Sequence, residues 1–396
     1  MKIILSNTVL FFILIAFIFF IPSCEEEKQD DIISSPNLAP WNNVRYDYSN
    51  TGNYPGFGPT IGIIADTIFI GDPPEGLTPI FDNNRNLYIA NESGVIYKID
   101  STNSIVWQFE TELEISQSAS VHDSVVVWTT REGFIIGFAV LDGRELWRID
   151  TSDKIFNPPI IHNELNFGVV TTDDGILVIF DLNGNVLNSI SLGNNNTFTT
   201  PISSMDENGN IFIATRNEVY QFDMEGNLIW NKGYNEYHRI FNSFVSYKNN
   251  DIFFIVLENE SLKKNIISIS ADNGNINWLS RPYETNEGFN PFYQLTLTDE
   301  YIVTSNLFVG IETFDYDGNH IETTRIGEHR IESSVLVDIE KNHFFGSEDG
   351  ESLISMKENN LNWELTINDY YIYDMSINSN RIYFTTREHP YLWIIE

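Results

Sequence analysis

A turn followed by tryptophan returns along this chain about every 40 residues: Gly143 to Trp147, Gly226 to Trp230 and Gly274 to Trp278, with Asn103 to Trp107 and Asn359 to Trp363 as variants. Between these landmarks one unit is rewritten. An apolar run (NLYIAN, VVVWTT, NIFIAT, RIYFTT) meets a polar turn, a second run ends near aspartate (VIYKID, EVYQFD), and a hairpin such as DGRELW, EGNLIW or NGNINW closes the unit. Such runs, rich in β-branched and aromatic residues, read as short strands. A single unit of this kind cannot bury both its faces, so the units must stack around a common axis.

Aligned on the hairpins, the tryptophan position falls at 107, 147, 188, 230, 278, 322 and 363, with Asn188 and Glu322 standing in for tryptophan. The intervals are 40, 41, 42, 48, 44 and 41 residues, and the segment ENESLKKN at 258–265 accounts for the longest as an expected longer loop in the fifth unit. Seven units of four runs each thus cover Thr78 to Asn368. Beyond them only three runs remain (DMSINS, RIYFTT, YLWIIE), while an orphan run, TIGIIADTIFI at 60–70, precedes the first unit. If the orphan supplies the missing outer strand, both deficits vanish and the seam leaves no open edge. The expectation is an all-β, eight-bladed β-propeller of four-stranded blades over residues 41–396, its last blade closed by an N-terminal strand. A residue repeated at one place in every unit is a packing element, so Trp107, Trp147, Trp230, Trp278 and Trp363 are expected to dock each blade onto the next. The glycines of the same hairpins read as turn residues.

The first residues are a separate object. Lys2 is the only charge before an apolar run from Val9 to Ile21, which has the length of a signal-peptide core and is short for a membrane span. It ends in Ile21-Pro22-Ser23-Cys24, and Cys24 is the only cysteine of the chain. This arrangement resembles the lipobox of bacterial lipoproteins, with Pro22 departing from the small residue usual there. The resemblance implies removal of residues 1–23, lipidation of Cys24, and anchoring of a flexible acidic tether, residues 24–40, to the outer membrane. The run Glu25-Glu26-Glu27-Lys28-Gln29-Asp30-Asp31 resembles the acidic signal that sends some lipoproteins to the cell surface, and equally reads as a solvated tether. One cysteine allows no intramolecular disulfide, so the fold rests on its core.

Lysine and arginine number 22 against 56 aspartates and glutamates, a formal net charge of -34. That charge repels phosphate backbones and excludes nucleic acid as a partner class. Local catalytic signatures are missing: the sequence holds no G-x-S-x-G, no P-loop, no G-x-G-x-x-G between strand and helix, and no HxH or HExxH among its seven histidines. Asp315-Tyr316-Asp317-Gly318-Asn319 is the nearest approach to a calcium loop. It lacks the remaining ligands and lies where every other unit has its hairpin, so it reads as a turn, as do DENGN at 206–210 and SEDGE at 347–351. Tyr234, Tyr237, Tyr283, Phe289 and Phe292 cluster in two interblade stretches, where they would pack at blade junctions or stack on a sugar.

Upstream of the orphan strand, Trp41, Arg45, Asp47, Thr51 and Gly52 keep the order W-x-x-F-R-x-D-x-x-x-T-G, with Val44 in place of the aromatic. Together with the repeated tryptophans this resembles the PQQ-like, or quinoprotein-type, β-propeller superfamily. The resemblance implies either a dehydrogenase holding pyrroloquinoline quinone and calcium or a non-catalytic scaffold. The dehydrogenases often carry a vicinal disulfide that this chain cannot form, and they are generally longer. Anchor, tether, propeller and length resemble the propeller lipoproteins of the outer-membrane β-barrel assembly machine, which implies a monomeric, cofactor-free scaffold bound to an envelope partner. A surface-exposed, ligand- or glycan-binding propeller is the alternative.

Overall fold

The computed structural model describes residues 41–74, 77–115, 117–193, 203–234, 238–240, 244–258, 264–281, 294–306, 310–326, 330–331, 333–347, 351–367, 372–386 and 389–396. Cys24, the acidic run after it, Tyr237, Tyr283, Phe289 and Phe292 lie outside the described residues. Eight antiparallel sheets form, with no helix among the described residues. Blade 1 sets the pattern: Ile80–Phe81 innermost, then Leu87–Ala90, Val95–Ile99 and the outer Ile105–Glu110. Blades 2 to 7 follow over residues 120–150, 160–191, 204–233, 238–279, 296–324 and 336–366. Blade 8 orders Ile372–Asn378, Arg381–Thr386 and Tyr391–Ile395 inward to outward, and Ile64–Phe69 completes it by pairing antiparallel with Tyr391–Ile395. The strand at 64–69 and the last strand therefore share one blade, as the orphan strand predicts.

Burial explains the run patterns. The second strand of blade 2, Val125–Thr129, is buried at every position because neighbouring blades cover both of its faces. Outer strands alternate half-buried and exposed residues with the two-residue period of a strand on a rim, as in Ile105–Glu110 and Val186–Ser191. Between adjacent blades lie apolar clusters, such as Ile160, Phe167, Val169 and Leu177 of blade 3 with Met205, Ile211, Ile213 and Phe222 of blade 4.

Every blade carries an irregularity at the same place, between its third and outer strands. In blade 1 the register shifts between Lys98 and Ile99, so that Ile99 faces Ile105 and Lys98 faces Trp107; blade 8 repeats it, Ile395 facing Ile64 and Ile394 facing Asp66. The bulge twists the outer strand and re-aims the residue after it toward the next blade.

Blade 5 departs from the expected four runs. Its second and third strands, Asp251–Glu258 and Lys264–Ser270, are eight and seven residues long, so the insertion lengthens strands as well as the connection between them. The long second strand offers more edge than one short inner strand covers, and two segments pair with it, His238–Ile240 and Ser246–Lys248.

Candidate functional site

Each sequence-predicted tryptophan lies directly after the bulge on an outer strand, and its indole N–H reaches a carbonyl of the next blade or, for Trp363, of the segment that leads into the closing strand. Trp107 Nε1 donates to Val140 O (3.1 Å), Trp147 to Leu182 O (2.9 Å), Trp230 to Ala271 O (2.8 Å), Trp278 to Tyr316 O (2.8 Å) and Trp363 to Pro59 O (3.2 Å). A glycine of that next turn lies flat against the ring: a Cβ built on Gly143 would fall 2.6 Å from the Trp107 indole, and one on Gly184 2.5 Å from Trp147. Both glycines also hold a left-handed backbone (φ 73° and 84°), so two constraints select the same residue.

The junctions without tryptophan use amide chemistry. Asn188 Nδ2 donates to Glu225 O (2.8 Å), and the carboxylate of Glu322 accepts from Asn359 Nδ2. The eighth position, which the sequence repeat does not reveal, is Asp66: it follows the bulge of blade 8 and accepts from Asn103 Nδ2 of blade 1 at 2.8 Å. The side chains are therefore matched across junctions, indole against glycine and carboxylate against asparagine.

Residues 41–58 form a strap that runs around one end of the ring and touches the inner strands of blades 1 to 7 in turn, then the turn after the inner strand of blade 8. Phe81 N donates to Trp41 O, Val121 N to Asn42 O and Ile161 N to Asn43 Oδ1. Met205 N donates to Tyr48 O, Tyr247 N to Ser49 O and Leu297 N to Thr51 O, all at 2.8–2.9 Å. Tyr54 N donates to Val337 O of blade 7 (3.0 Å), and Ser379 N of blade 8 donates to the Tyr54 hydroxyl (3.4 Å). The W-x-x-V-R-x-D-x-x-x-T-G motif builds this strap. Arg45, buried, sends Nη2 across to Leu295 O (2.9 Å) and Thr296 Oγ1 (3.1 Å) of blade 6. Asp47 holds its own loop closed by accepting from Thr51 N (3.0 Å) and Thr51 Oγ1 (2.7 Å), and burial raises its pKa. Gly52 passes so close to the guanidinium that a Cβ would lie 2.2 Å from Nη2.

Among the described residues, clefts open between blades on this strapped end at the seam and between blades 4 and 5. At the seam, Arg85, Asp100, Ser101, Asn103, Tyr383 and Glu396 line the first. Its Arg381 is held by the Glu396 carboxylate (Nε to Oε1 2.8 Å). The second lies between blades 4 and 5, lined by Asp206, Glu207, Gln221, Asn249, Asn250 and Asp272 among others.

The other candidates resolve into structure. Asp315 Oδ1 accepts from Asp317 N (3.0 Å) and Asn319 N (2.7 Å), and Oδ2 from Asn319 Nδ2 (2.9 Å), a turn that engages both its oxygens; Asp206 repeats this with Asn208 and Asn210. Tyr234 is buried at the blade 4–5 junction with its hydroxyl on Gly274 O (2.7 Å), a packing position. His343 sits in the blade 7 core, its Nε2 without a hydrogen-bond partner, and burial drops its pKa to about 4. His162 is stacked on Tyr48 (ring centroids 4.1 Å). Among the described residues no three His, Cys, Asp or Glu side chains converge to hold a metal ion.

Comparison with known proteins places this architecture. The sequence profile described as "Outer membrane protein assembly factor BamB" matches residues 74–306, more than half of the chain. The outer membrane protein assembly factor BamB of Burkholderia pseudomallei is 29% identical over 97 residues, a match covering 24% of this chain and 24% of that protein. The crystal structure of BamB from Moraxella catarrhalis superposes with a TM-score of 0.67 at 16% identity, over 85% of this chain and all (100%) of that one. A europium-containing methanol dehydrogenase reaches a TM-score of 0.65 at 11% identity, over 87% and 89% of the two chains, a likeness of fold. With eight blades, an N-terminal closing strand and this profile match over its repeats, the chain belongs to the outer membrane protein assembly factor BamB family of PQQ-like β-propellers.

Proposed function

We propose that this protein is a non-catalytic, lipid-anchored propeller scaffold of the bacterial envelope that binds a component of the outer-membrane β-barrel assembly apparatus. The family match across residues 74–306 is the observation that carries the reading. The internal economy of the ring supports it: Asp206 and Asp315 hold their own turns, and the tryptophans, with Asp66, Asn188 and Glu322, reach the neighbouring blade as docking residues. What remains for a partner is the set of turns and clefts that a rigid ring holds at fixed spacing. In this reading Cys24 carries the lipid, residues 24–40 are the tether, and the protein acts as a monomer at the outer membrane.

The test is cross-linking in intact cells followed by capture of the tagged full chain. Recovery of β-barrel assembly subunits is the expected result. Recovery of surface components alone, with the protein lost on protease treatment of intact cells, would instead favour the surface-displayed ligand- or glycan-binding propeller that the acidic run at 25–31 suggests.

A further inference from the structure

The cleft between blades 4 and 5 has an internal counterpart between blades 1 and 2. The register equates Gln221, which faces Trp230, with Lys98, which faces Trp107. The turn at Asp206 matches that at Asp82, with both aspartates accepting from the asparagine four residues on. Ala271, whose carbonyl takes the Trp230 indole, likewise matches Val140, whose carbonyl takes the Trp107 indole. Val140 N donates to Ser124 O and Ala271 N to Asn250 O, which fixes the correspondence on the second blade of each pair.

The two junctions differ in what fills them. Between blades 1 and 2, Lys98 Nζ lies in the slot, donating to Val140 O at 2.9 Å and standing 5.7 Å from the centroid of the Tyr88 ring. Beside it Asn83 Nδ2 ties across to Asp123 Oδ1 (2.7 Å). Between blades 4 and 5 a glutamine replaces that lysine and Glu207 replaces Asn83, and an open cleft remains. Gln221 is 5% exposed, lines the cleft, and its Oε1 has no hydrogen-bond partner. Asp206, Glu207 and Asp272 add three carboxylates to the lining, which contains no basic residue. Burial, and after it the carboxylates of Glu207 and Asp206, push the Tyr247 hydroxyl up to about 12, as expected beside negative charge.

We infer that this cleft receives the ammonium of a lysine side chain from a partner protein, in the slot that Lys98 fills within the chain at the blade 1–2 junction. A buried acceptor without a donor costs free energy, and an ammonium supplies three donors to a lining whose charged side chains are all carboxylates. The three carboxylates of the lining add attraction through their charge. Divalent metal fits less well, since no three carboxylate or histidine groups among the described residues converge on one point. The inference takes the partner from the proposed scaffold role, but its test uses no assembly component, so either can fail alone.

The test titrates the full chain, isotope-labelled at glutamine, with Nα-acetyl-lysine methylamide while the Gln221 side-chain amide is followed by NMR. A saturable shift is expected, absent with the norleucine analogue and lost in the Glu207→Gln, Asp272→Asn double variant. No shift, or an equal shift with norleucine, would overturn the assignment. Saturation by spermidine at about tenfold lower concentration than the lysine probe would overturn the protein source in favour of a free polyamine. Gln221→Lys should refill the slot from within and raise the melting temperature; a lowered one would break the equivalence of the two junctions.

Discussion

At the scale of single residues, the matched junctions make the cost of a substitution depend on its partner. Trp363 is 8% exposed and spans the junction where blade 7 meets the closing segment, its indole against Gly62. Trp363→Ala should therefore cost roughly 3–5 kcal/mol, whereas the half-buried Trp147 should cost roughly 2–3 kcal/mol on the same change, both read by urea unfolding. Equal and negligible losses would remove the docking role. His343 gives a pH prediction. It occupies the position held by Ile211, Ile252, Ile302 and Ile382 in other blades, and its pKa falls from 6.5 to about 4 on folding. Below pH 6.5 the unfolded chain binds a proton that the folded one refuses. Stability is thus full above 6.5 and is lost as pH falls toward 4, by about 3 kcal/mol. His343→Ile should reduce the loss between pH 7 and pH 4.5 by roughly that order, compared by denaturant titration at the two values.

At the scale of elements, what the sequence discloses depends on whether a side chain or a backbone does the work. The tryptophans announce their junctions because an indole recurs. Asp66 does not, since the turn before it is split between Glu396 and Gly62, far apart in the sequence, and only the register of Ile64–Phe69 against Tyr391–Ile395 exposes it. The strap motif is legible as a pattern, but its use is not: Trp41, Tyr48, Ser49 and Thr51 engage the blades through carbonyls, which leave no trace in side-chain identity. Gln221 likewise reads as an ordinary strand residue until Lys98 is set beside it. The strap carries its own prediction. Gly52 has φ 66° and no room for a methyl group beside Arg45, so Gly52→Ala should destabilise by about 2–4 kcal/mol. The paired change Gly52→Ala, Arg45→Ala should recover part of that loss if contact with the guanidinium is its cause; no recovery would leave backbone strain alone.

At the scale of the whole molecule, two N-terminal elements act on a ring of eight otherwise sequential sheets. One strand closes the circumference at blade 8, and the strap bonds the inner strands of blades 1 to 7 and the turn after that of blade 8. A ring closed both ways holds its turns and clefts at fixed spacing, and a scaffold needs that rigidity, because loops displayed on loosely joined blades would lose binding free energy to ordering. The acidity of the chain adds a bias toward basic partners, consistent with an ammonium-binding cleft. Amide hydrogen exchange on the full chain tests this picture most directly. The N–H groups of Val121, Met205, Tyr247 and Leu297, which donate to the strap, should exchange as slowly as those of central strands such as Val125–Thr129, opening only when the ring unfolds. Exchange orders of magnitude faster at those four positions would mean a strap that detaches on its own, and would contradict the account of a ring locked from within.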